Sequence, residues 1–208
     1  MLAEKHWEAA NGFTLTDEMS LLIAAEASLL VLGLSFEHYR DVSAIIVHPS
    51  TVTLTGARGA PVAGLMTDAP MPILGQAMQR GPIIIAWDSA ANDARHPERG
   101  HNVVFHEFAH KLDMLDEVTD GVPPMPRDEL DHFVEVCTRE YEVLQGGDDP
   151  VLSSYAGVNP AEFFAVATEA FFDVPGALQA HKPDLYDVLS GFYRQDPAAR
   201  VGQWRPAG

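Results

Sequence analysis

The chain has 208 residues, 47% of them hydrophobic, and its 30 acidic and 13 basic side chains give a formal net charge of -17. A chain of this size and composition can bury one sizeable core, and its single cysteine, Cys137, excludes an internal disulfide and a cysteine zinc cluster. The acidic balance argues against a nucleic-acid-binding protein, because basic side chains supply most of the affinity for phosphate backbones.

The N-terminal part of the chain, residues 1–100, has no stretch with the basic, apolar and small-residue order of a signal peptide, so we expect a cytoplasmic protein. Its longest apolar stretch, residues 21–36, contains Glu26 and is too short to span a bilayer comfortably. Thr16 and the two acidic residues after it predict a helix start, and Gly33 predicts the helix end.

β-Branched residues predict three strands before the central motif. Residues 43–48 and 52–55 predict the first two, and residues 81–87 predict the third. The third lies shortly before the motif described next, which makes it a candidate for the strand that borders a cleft. Such an edge binds extended peptides by main-chain pairing, although a strand covered by a neighbour is an equal alternative. Residues 88–100 are polar and turn-like.

The next segment contains the sequence His106-Glu107-Phe108-Ala109-His110, an H-E-x-x-H motif inside an apolar run. Residues four apart lie on one helix face, so both imidazoles reach one metal ion, while Glu107 projects about 100° around the axis. Zinc suits neutral imidazole and lowers the pKa of bound water towards about 7, so Glu107 would take the water's proton. The alternative is two hydrogen-bonded core histidines and a surface glutamate. We favour the metal site because unpaired polar groups are costly in a buried helix.

Helices dominate the remaining sequence. Asn159-Pro160 predicts a helix start and Pro175 its end, and Tyr155 falls in the turn before that helix. We expect a single domain over residues 1–208. Within it we predict a helix and sheet part at 1–100, a metal helix and helical part at 101–197, and a loosely held tail at 198–208. The helical part should contain a loop at 113–126 and helices at 127–144, 161–172 and 185–194.

A catalytic zinc site needs a third protein ligand besides the two histidines. Asp116 stands where metzincins place their third ligand, but the glycine that lets the chain turn back is replaced by Asp113. Glu162 and Glu169 lie seven residues apart on one face of the same predicted helix. Glu162 also fits a capping box with Asn159. The spacing alone does not separate these two glutamates.

Several segments together resemble the Mlc titration factor A family of bacterial zinc peptidases. The likeness runs from about Gly12 to Pro197. It is carried by His106 to Asp113, Gly121-Val122-Pro123, Tyr155-Ala156, Asn159-Pro160-Ala161-Glu162 and Phe192 to Pro197.

The resemblance implies one Zn²⁺ per chain, held by His106, His110 and Glu162, with Glu107 as general base. It also implies that Tyr155 donates a hydrogen bond to the oxyanion of the tetrahedral intermediate.

By the same resemblance, Glu169 and Asp113 are candidates for orienting a ligand histidine. The family's catalytic domain is similar to that of anthrax lethal factor. This implies a zincin-like α+β fold with a small mixed or antiparallel sheet packed against the H-E-x-x-H helix and a mainly helical C-terminal half.

The resemblance implies a cytoplasmic zinc metallopeptidase that hydrolyses peptide or protein substrates, with an aminopeptidase preference. The alternative is a zinc-stabilised regulatory binding module that sequesters a transcriptional repressor, with weak or incidental hydrolysis. Glu107 and Tyr155 favour the enzyme, since a pure binding module needs neither residue. We expect no direct nucleic-acid partner and no membrane partner.

Overall fold

The computed structural model describes residues 1–10, 12–50, 52–54, 71–73, 75–77 and 81–203. These residues form an α+β structure with a small sheet and a mainly helical C-terminal half. The strands are β1 (His6–Ala9), β2 (Ala44–His48), β3 (Val52–Leu54), β4 (Met71–Ile73), β5 (Gly75–Ala77) and β6 (Ile83–Ala86). The helices are α1 (Asp17–Leu30), α2 (Trp87–Asp93), α3 (Val103–Asp113), α4 (Arg127–Leu144), α5 (Pro160–Asp173), α6 (Pro175–His181), α7 (Pro183–Tyr193) and α8 (Pro197–Gln203).

The main sheet is mixed and has the strand order β1-β2-β6-β5. The strands β1, β2 and β6 are parallel, and β5 runs antiparallel to β6. The strand β6 is the predicted strand at 81–87, and it lies between two neighbours. The strand beside α3 at the edge of this sheet is therefore β5, and the covered-strand alternative is the correct one for β6.

The inner face of the sheet packs against the helices through alternating apolar residues. Ile45 and Val47 of β2 and Ile83 and Ile85 of β6 are fully buried, as expected for residues two apart on a pleated strand. Beneath them, α3 contacts both β5 and β6. The sheet therefore supports one side of the helix that carries the H-E-x-x-H motif.

The helix α5 covers the other side of α3 and forms the centre of the core. Nearly all of its residues from Ala161 to Phe171 are buried, and Phe108, Ala109 and Leu112 of α3 are fully buried as well. A helix that is apolar on most of its surface is typical of a position inside a protein. The two helices that bear the candidate ligands thus pack directly against each other in the core.

Several elements differ from the sequence predictions, among them the strands β4 and β5, which were not predicted. The strand β1 was not predicted, and most of its residues are exposed, so it lacks an apolar alternation. The helix α2 replaces a predicted turn because Ala90 and Ala91 pack inward. Pro175 begins α6 as well as ending α5, since proline suits the first helical position. The helix α8 lies in the predicted loose tail, where Asp196 accepts a hydrogen bond from Tyr186 at 2.6 Å. Residues 55 and 204–208 lie outside the described residues.

Candidate metal centre

An asparagine cap starts each of the two helices that carry the predicted ligands. Asn102 Oδ1 accepts hydrogen bonds from the backbone N–H groups of Val104 and Phe105, both at 3.0 Å. Asn159 Oδ1 accepts one from the backbone N–H of Glu162 at 3.0 Å. These caps satisfy N–H groups that the helix itself leaves unpaired. Only the backbone of Glu162 takes part in its cap, which leaves the side chain available for the site.

His106, His110 and Glu162 converge on one point between α3 and α5. Glu162 Oε2 lies 3.0 Å from His106 Nε2 and 3.4 Å from His110 Nε2, and the two Nε2 atoms are 3.1 Å apart. Three tetrahedral ligands at about 2.0–2.1 Å from a zinc ion lie roughly 3.3 Å from one another. The observed triangle therefore fits a single tetrahedral ion, and these residues form the group in the described chain that could hold a metal.

The charges of the three side chains also suit a cation. Burial opposes ionisation of Glu162, yet the two histidines hold the pKa of its carboxyl well below the usual range. Burial likewise opposes protonation of His106, but Glu162 and Glu169 hold the pKa of its imidazole well above the usual value. The site therefore keeps an ionised carboxylate and favours positive charge at the point where the three side chains meet.

Glu169 contacts the side of His106 that faces away from this point. Its Oε1 lies 2.7 Å from His106 Nδ1, and its Oε2 accepts a hydrogen bond from the backbone N–H of Asn102 at 2.6 Å. Glu169 is itself 1% exposed. A carboxylate at Nδ1 fixes the ring orientation and tautomer and directs Nε2 towards a metal. Glu169 is thus placed to orient His106. Because it contacts Nδ1, it does not lie beside Nε2, where a metal ligand would be needed.

Glu107 is buried next to the two histidines, with 4% of its surface exposed. Burial raises the pKa of its carboxyl, against the lowering effect of His106 and His110. A raised pKa suits a carboxylate that accepts a proton near neutral pH. One turn further along α3, the buried Lys111 donates a hydrogen bond to the carbonyl of Gly81 at 3.1 Å.

Tyr155 lies beside the histidines in the 3₁₀ turn Ser154–Gly157, which precedes α5. Its ring centroid is 5.9 Å from that of His106, and 48% of the residue is exposed. Partial burial and the carboxylates of Glu162 and Glu107 raise the pKa of the phenol. The hydroxyl therefore stays protonated at neutral pH and can donate a hydrogen bond to a bound group.

The other two candidate residues lie outside the triangle. Asp113 is fully buried, and burial raises its pKa to about 6. The backbone N–H groups of Gly121 and Val122 act on this carboxyl and lower its pKa against the effect of burial, and no hydrogen bond among the described residues joins it to His110. Asp116 accepts a hydrogen bond from the backbone N–H of Val118 at 3.0 Å in an exposed turn. The metzincin-type alternative therefore does not fit the described site.

Asn102 was not identified in the sequence, and Gly121 was noted there only as part of a segment that carries the family resemblance. Asn102 both caps α3 and donates to Glu169, and an asparagine directly before an apolar helix is a recognisable cap signal. Gly121 has φ +78° and packs directly against the Pro160 carbonyl at the start of α5. Its close approach depends on tertiary structure, so no local sequence signal could have revealed it.

Comparison with known proteins shows which family and which relatives this chain resembles. The family model described as glucose-regulated metallo-peptidase M90 matches residues 1–194. The Mlc titration factor A of Serratia proteamaculans is 32% identical over 208 residues, covering 97% of this chain and 78% of the relative. The Mlc titration factor A of Yersinia pestis is 31% identical over 212 residues, which cover 98% of this chain and 77% of the relative. An uncharacterized protein of Synechocystis sp. is 35% identical over 202 residues, which cover 94% of this chain and 73% of the relative.

No helix in the described part of the chain is both long enough and apolar enough to cross a membrane.

Proposed function

We propose that this chain, which belongs to the glucose-regulated metallo-peptidase M90 family, is a zinc-dependent peptidase with a zincin-like catalytic domain. The proposal follows from the family membership and from the geometry of the site. The observation that carries the proposal is the triangle of His106 Nε2, His110 Nε2 and Glu162 Oε2, with sides of 3.0 to 3.4 Å. The shape and charge of this triangle suit three side chains that would hold one zinc ion.

We assign the hydrolytic steps to the side chains around this triangle. Zinc, when bound, supplies Lewis acidity towards the scissile carbonyl and lowers the pKa of coordinated water. Glu107 accepts a proton from the attacking water and then delivers a proton to the leaving amine. Tyr155 donates a hydrogen bond to the oxyanion, since its phenol stays protonated. Glu169 keeps His106 in the orientation that directs Nε2 to the metal.

The substrates in this proposal are peptides, and an aminopeptidase preference follows from the family resemblance. The proposal also treats residues 1–208 as a single catalytic domain and the protein as cytoplasmic. Asp113 is assigned a supporting position behind the ligand helix, where burial raises the pKa of its carboxyl and the backbone of Gly121 lowers it.

The test of the enzymatic role is Glu107→Gln, which keeps the shape of the side chain and removes its basicity. Zinc content should stay at about one ion per chain, because Glu107 is not one of the three ligands. Hydrolysis of a mixed peptide library should fall on the order of 100-fold or more, as for loss of a general base. Elemental analysis and mass spectrometry of the products measure the two quantities on the same preparations. Full hydrolysis by the zinc-loaded variant would refute the assignment of Glu107.

A second function is favoured by the names of two relatives, which are called Mlc titration factor A. We propose as the alternative that this protein binds a transcriptional regulator, with zinc stabilising the binding-competent fold. The same Glu107→Gln variant separates the two functions, because binding of a purified Mlc-type regulator does not require the base. Binding that persists in Glu107→Gln but is lost in Glu162→Ala would assign zinc a structural role in recognition.

A further inference from the structure

A buried group of three charged side chains contacts the stretch of chain that leads into the segment carrying Tyr155. Lys182 Nζ, directly before α7, lies 2.8 Å from Glu140 Oε2 of α4 and 2.6 Å from Asp149 Oδ2 of the following loop. Their side chains are 6%, 15% and 4% exposed, respectively. We refer to Lys182, Glu140 and Asp149 as the Lys182 triad.

Such a triad needs an explanation beyond stability. The desolvation of buried charges offsets much of their mutual attraction, so a buried ion pair is weak evidence for a gain in stability. A better-supported use of buried charges is to hold one conformation in preference to others. Both carboxylates act on Lys182 in the same direction, and they raise the pKa of its ammonium despite burial. The triad is therefore charged, and it ties together α4, α7 and the loop between α4 and α5.

Asp149 connects the triad to the backbone that leads to Tyr155. Its Oδ1 accepts hydrogen bonds from the N–H groups of Val151 at 2.9 Å and Leu152 at 2.8 Å. The Leu152 side chain is 3% exposed and packs in the core. Because one carboxylate contacts both Lys182 and these two N–H groups, movement of Asp149 would move the chain that enters the Tyr155 turn.

The far end of the same turn is held by α4 and the residue after it. Gln145 Nε2 donates a hydrogen bond to the Gly157 carbonyl at 2.9 Å, and Tyr141 Oη lies 3.4 Å from the same oxygen. Ala156, next to Tyr155, is fully buried. Tyr155 itself is half exposed, so its own packing contributes little to the position of the turn. The contacts on both sides set the backbone position of the turn, and the Tyr155 side chain itself contacts Glu162 and His106 at the site.

We propose that the Lys182 triad positions Tyr155 at the metal centre. This inference rests on the proposed peptidase function, in which Tyr155 donates a hydrogen bond to the oxyanion. Lys182 is a positioning residue, because it acts through Asp149 and the backbone and touches none of the ligands. A displacement of about 1 Å in a catalytic group can lower the rate on the order of 100-fold. Loss of the triad therefore lowers kcat and leaves zinc content unchanged.

The first test is a double-mutant cycle between Lys182→Met and Tyr155→Phe in the zinc-loaded full chain. Lys182→Met should lower kcat about tenfold or more with little change in KM, and it should have no further effect in the Tyr155→Phe background, because residues that act as a unit are not additive. Asp184→Asn is the matched control. It breaks the exposed 2.6 Å pair between Arg139 of α4 and Asp184 of α7 without touching Asp149. Equal losses from Lys182→Met in both backgrounds would overturn the proposal.

The second test does not depend on activity. Protein labelled with 3-fluorotyrosine gives ¹⁹F resonances, and the one that disappears in Tyr155→Phe belongs to Tyr155. That resonance should shift on addition of zinc in the wild type and in Asp184→Asn, and it should lose this response in Lys182→Met. A Tyr155 resonance identical in Lys182→Met and wild type would overturn the proposal. A zinc response without any peptide hydrolysis would instead remove the proposed function and keep the positioning.

A milder variant covers the case in which Lys182→Met does not fold. Asp149→Asn retains the oxygen that accepts from Val151 and Leu152 and removes the negative charge that pairs with Lys182. In this variant kcat should be lower by about threefold, and the response of the Tyr155 resonance to zinc should be weakened but not lost. A folded Asp149→Asn protein with wild-type kcat and a wild-type Tyr155 resonance would also overturn the proposal.

Discussion

Two glutamates of α5 contact opposite sides of one imidazole ring. Glu162 Oε2 lies 3.0 Å from His106 Nε2, and Glu169 Oε1 lies 2.7 Å from His106 Nδ1. A ligand must approach the metal-facing nitrogen, whereas a carboxylate at the other nitrogen fixes the ring and increases its basicity. The two residues should therefore differ sharply in how much zinc affinity depends on them.

We expect Glu162→Ala to lose stoichiometric zinc and Glu169→Gln to keep it with a Kd about 10- to 100-fold higher, the usual effect of removing a residue that orients a ligand. Competition with a chromophoric zinc chelator measures both affinities. Glu129→Gln, on the exposed face of α4, controls for the loss of one negative charge. Stoichiometric, tight zinc in Glu162→Ala would contradict the assignment of the third ligand, and an unchanged Kd in Glu169→Gln would contradict the orienting role.

The spacing in the sequence did not distinguish Glu162 from Glu169 as the third ligand, and the reason is geometric. Glu162 and Glu169 are two turns apart on one face of α5, so helical periodicity favours both equally. Which of them meets Nε2 depends on the offset between α5 and α3, and that offset is fixed by core contacts distant in sequence. The H-E-x-x-H residues were accessible from sequence because both histidines belong to a single helix. Glu162 could be chosen as the candidate third ligand only through the family resemblance.

Among the elements, the segment after α3 influences the position of α5. Gly121 has φ +78°, and an added Cβ would meet the backbone carbonyl of Pro160 in the first turn of α5. Backbone cannot rotate away as a flexible side chain can. Glu162 lies two residues after Pro160, so a displacement at this contact reaches the candidate ligand directly.

We expect Gly121→Ala to destabilise the protein by more than the penalty of about 1–2 kcal/mol for placing a side chain in the left-handed region, and to weaken zinc binding as well. Gly12→Ala is the matched control, because Gly12 has φ +72° and an added Cβ meets nothing within 4 Å. Urea unfolding of the two variants measures the difference in free energy of unfolding. Equal losses of stability, with unchanged zinc affinity in both, would show that the contact with Pro160 has no effect on the site.

Elements with a strong local signal were predicted well from sequence. The amphipathic helix predicted at residues 127–144 is α4, and the predicted helix at 161–172 is α5 extended by one residue at each end. The strand β1 and the helix α2 were missed because tertiary contacts define them. Among the described strands, β1 pairs with β2 alone, and it is mostly exposed. The helix α2 is stabilised by the burial of two alanines.

For the molecule as a whole, the candidate metal centre joins two helices that are separated in the chain by the whole of α4. Helix α3 supplies His106 and His110, and α5 supplies Glu162. A metal held by both helices binds the folded protein and not the unfolded chain, since the three groups converge only after folding. Metal binding therefore contributes to global stability in addition to any chemistry, and this contribution is measurable without a substrate.

We expect removal of zinc by a chelator to lower the Tm of the wild-type protein by about 8–16 °C. Binding at a free zinc concentration of 1,000 times Kd contributes about 4 kcal/mol, and about 1 kcal/mol shifts Tm by about 2–4 °C in a domain of this size. Differential scanning calorimetry with and without chelator measures the shift. Glu107→Gln should show the same shift, because it keeps all three ligands, and Glu162→Ala should show almost none. A chelator effect of equal size in Glu162→Ala would mean that zinc stabilises the fold from a different site.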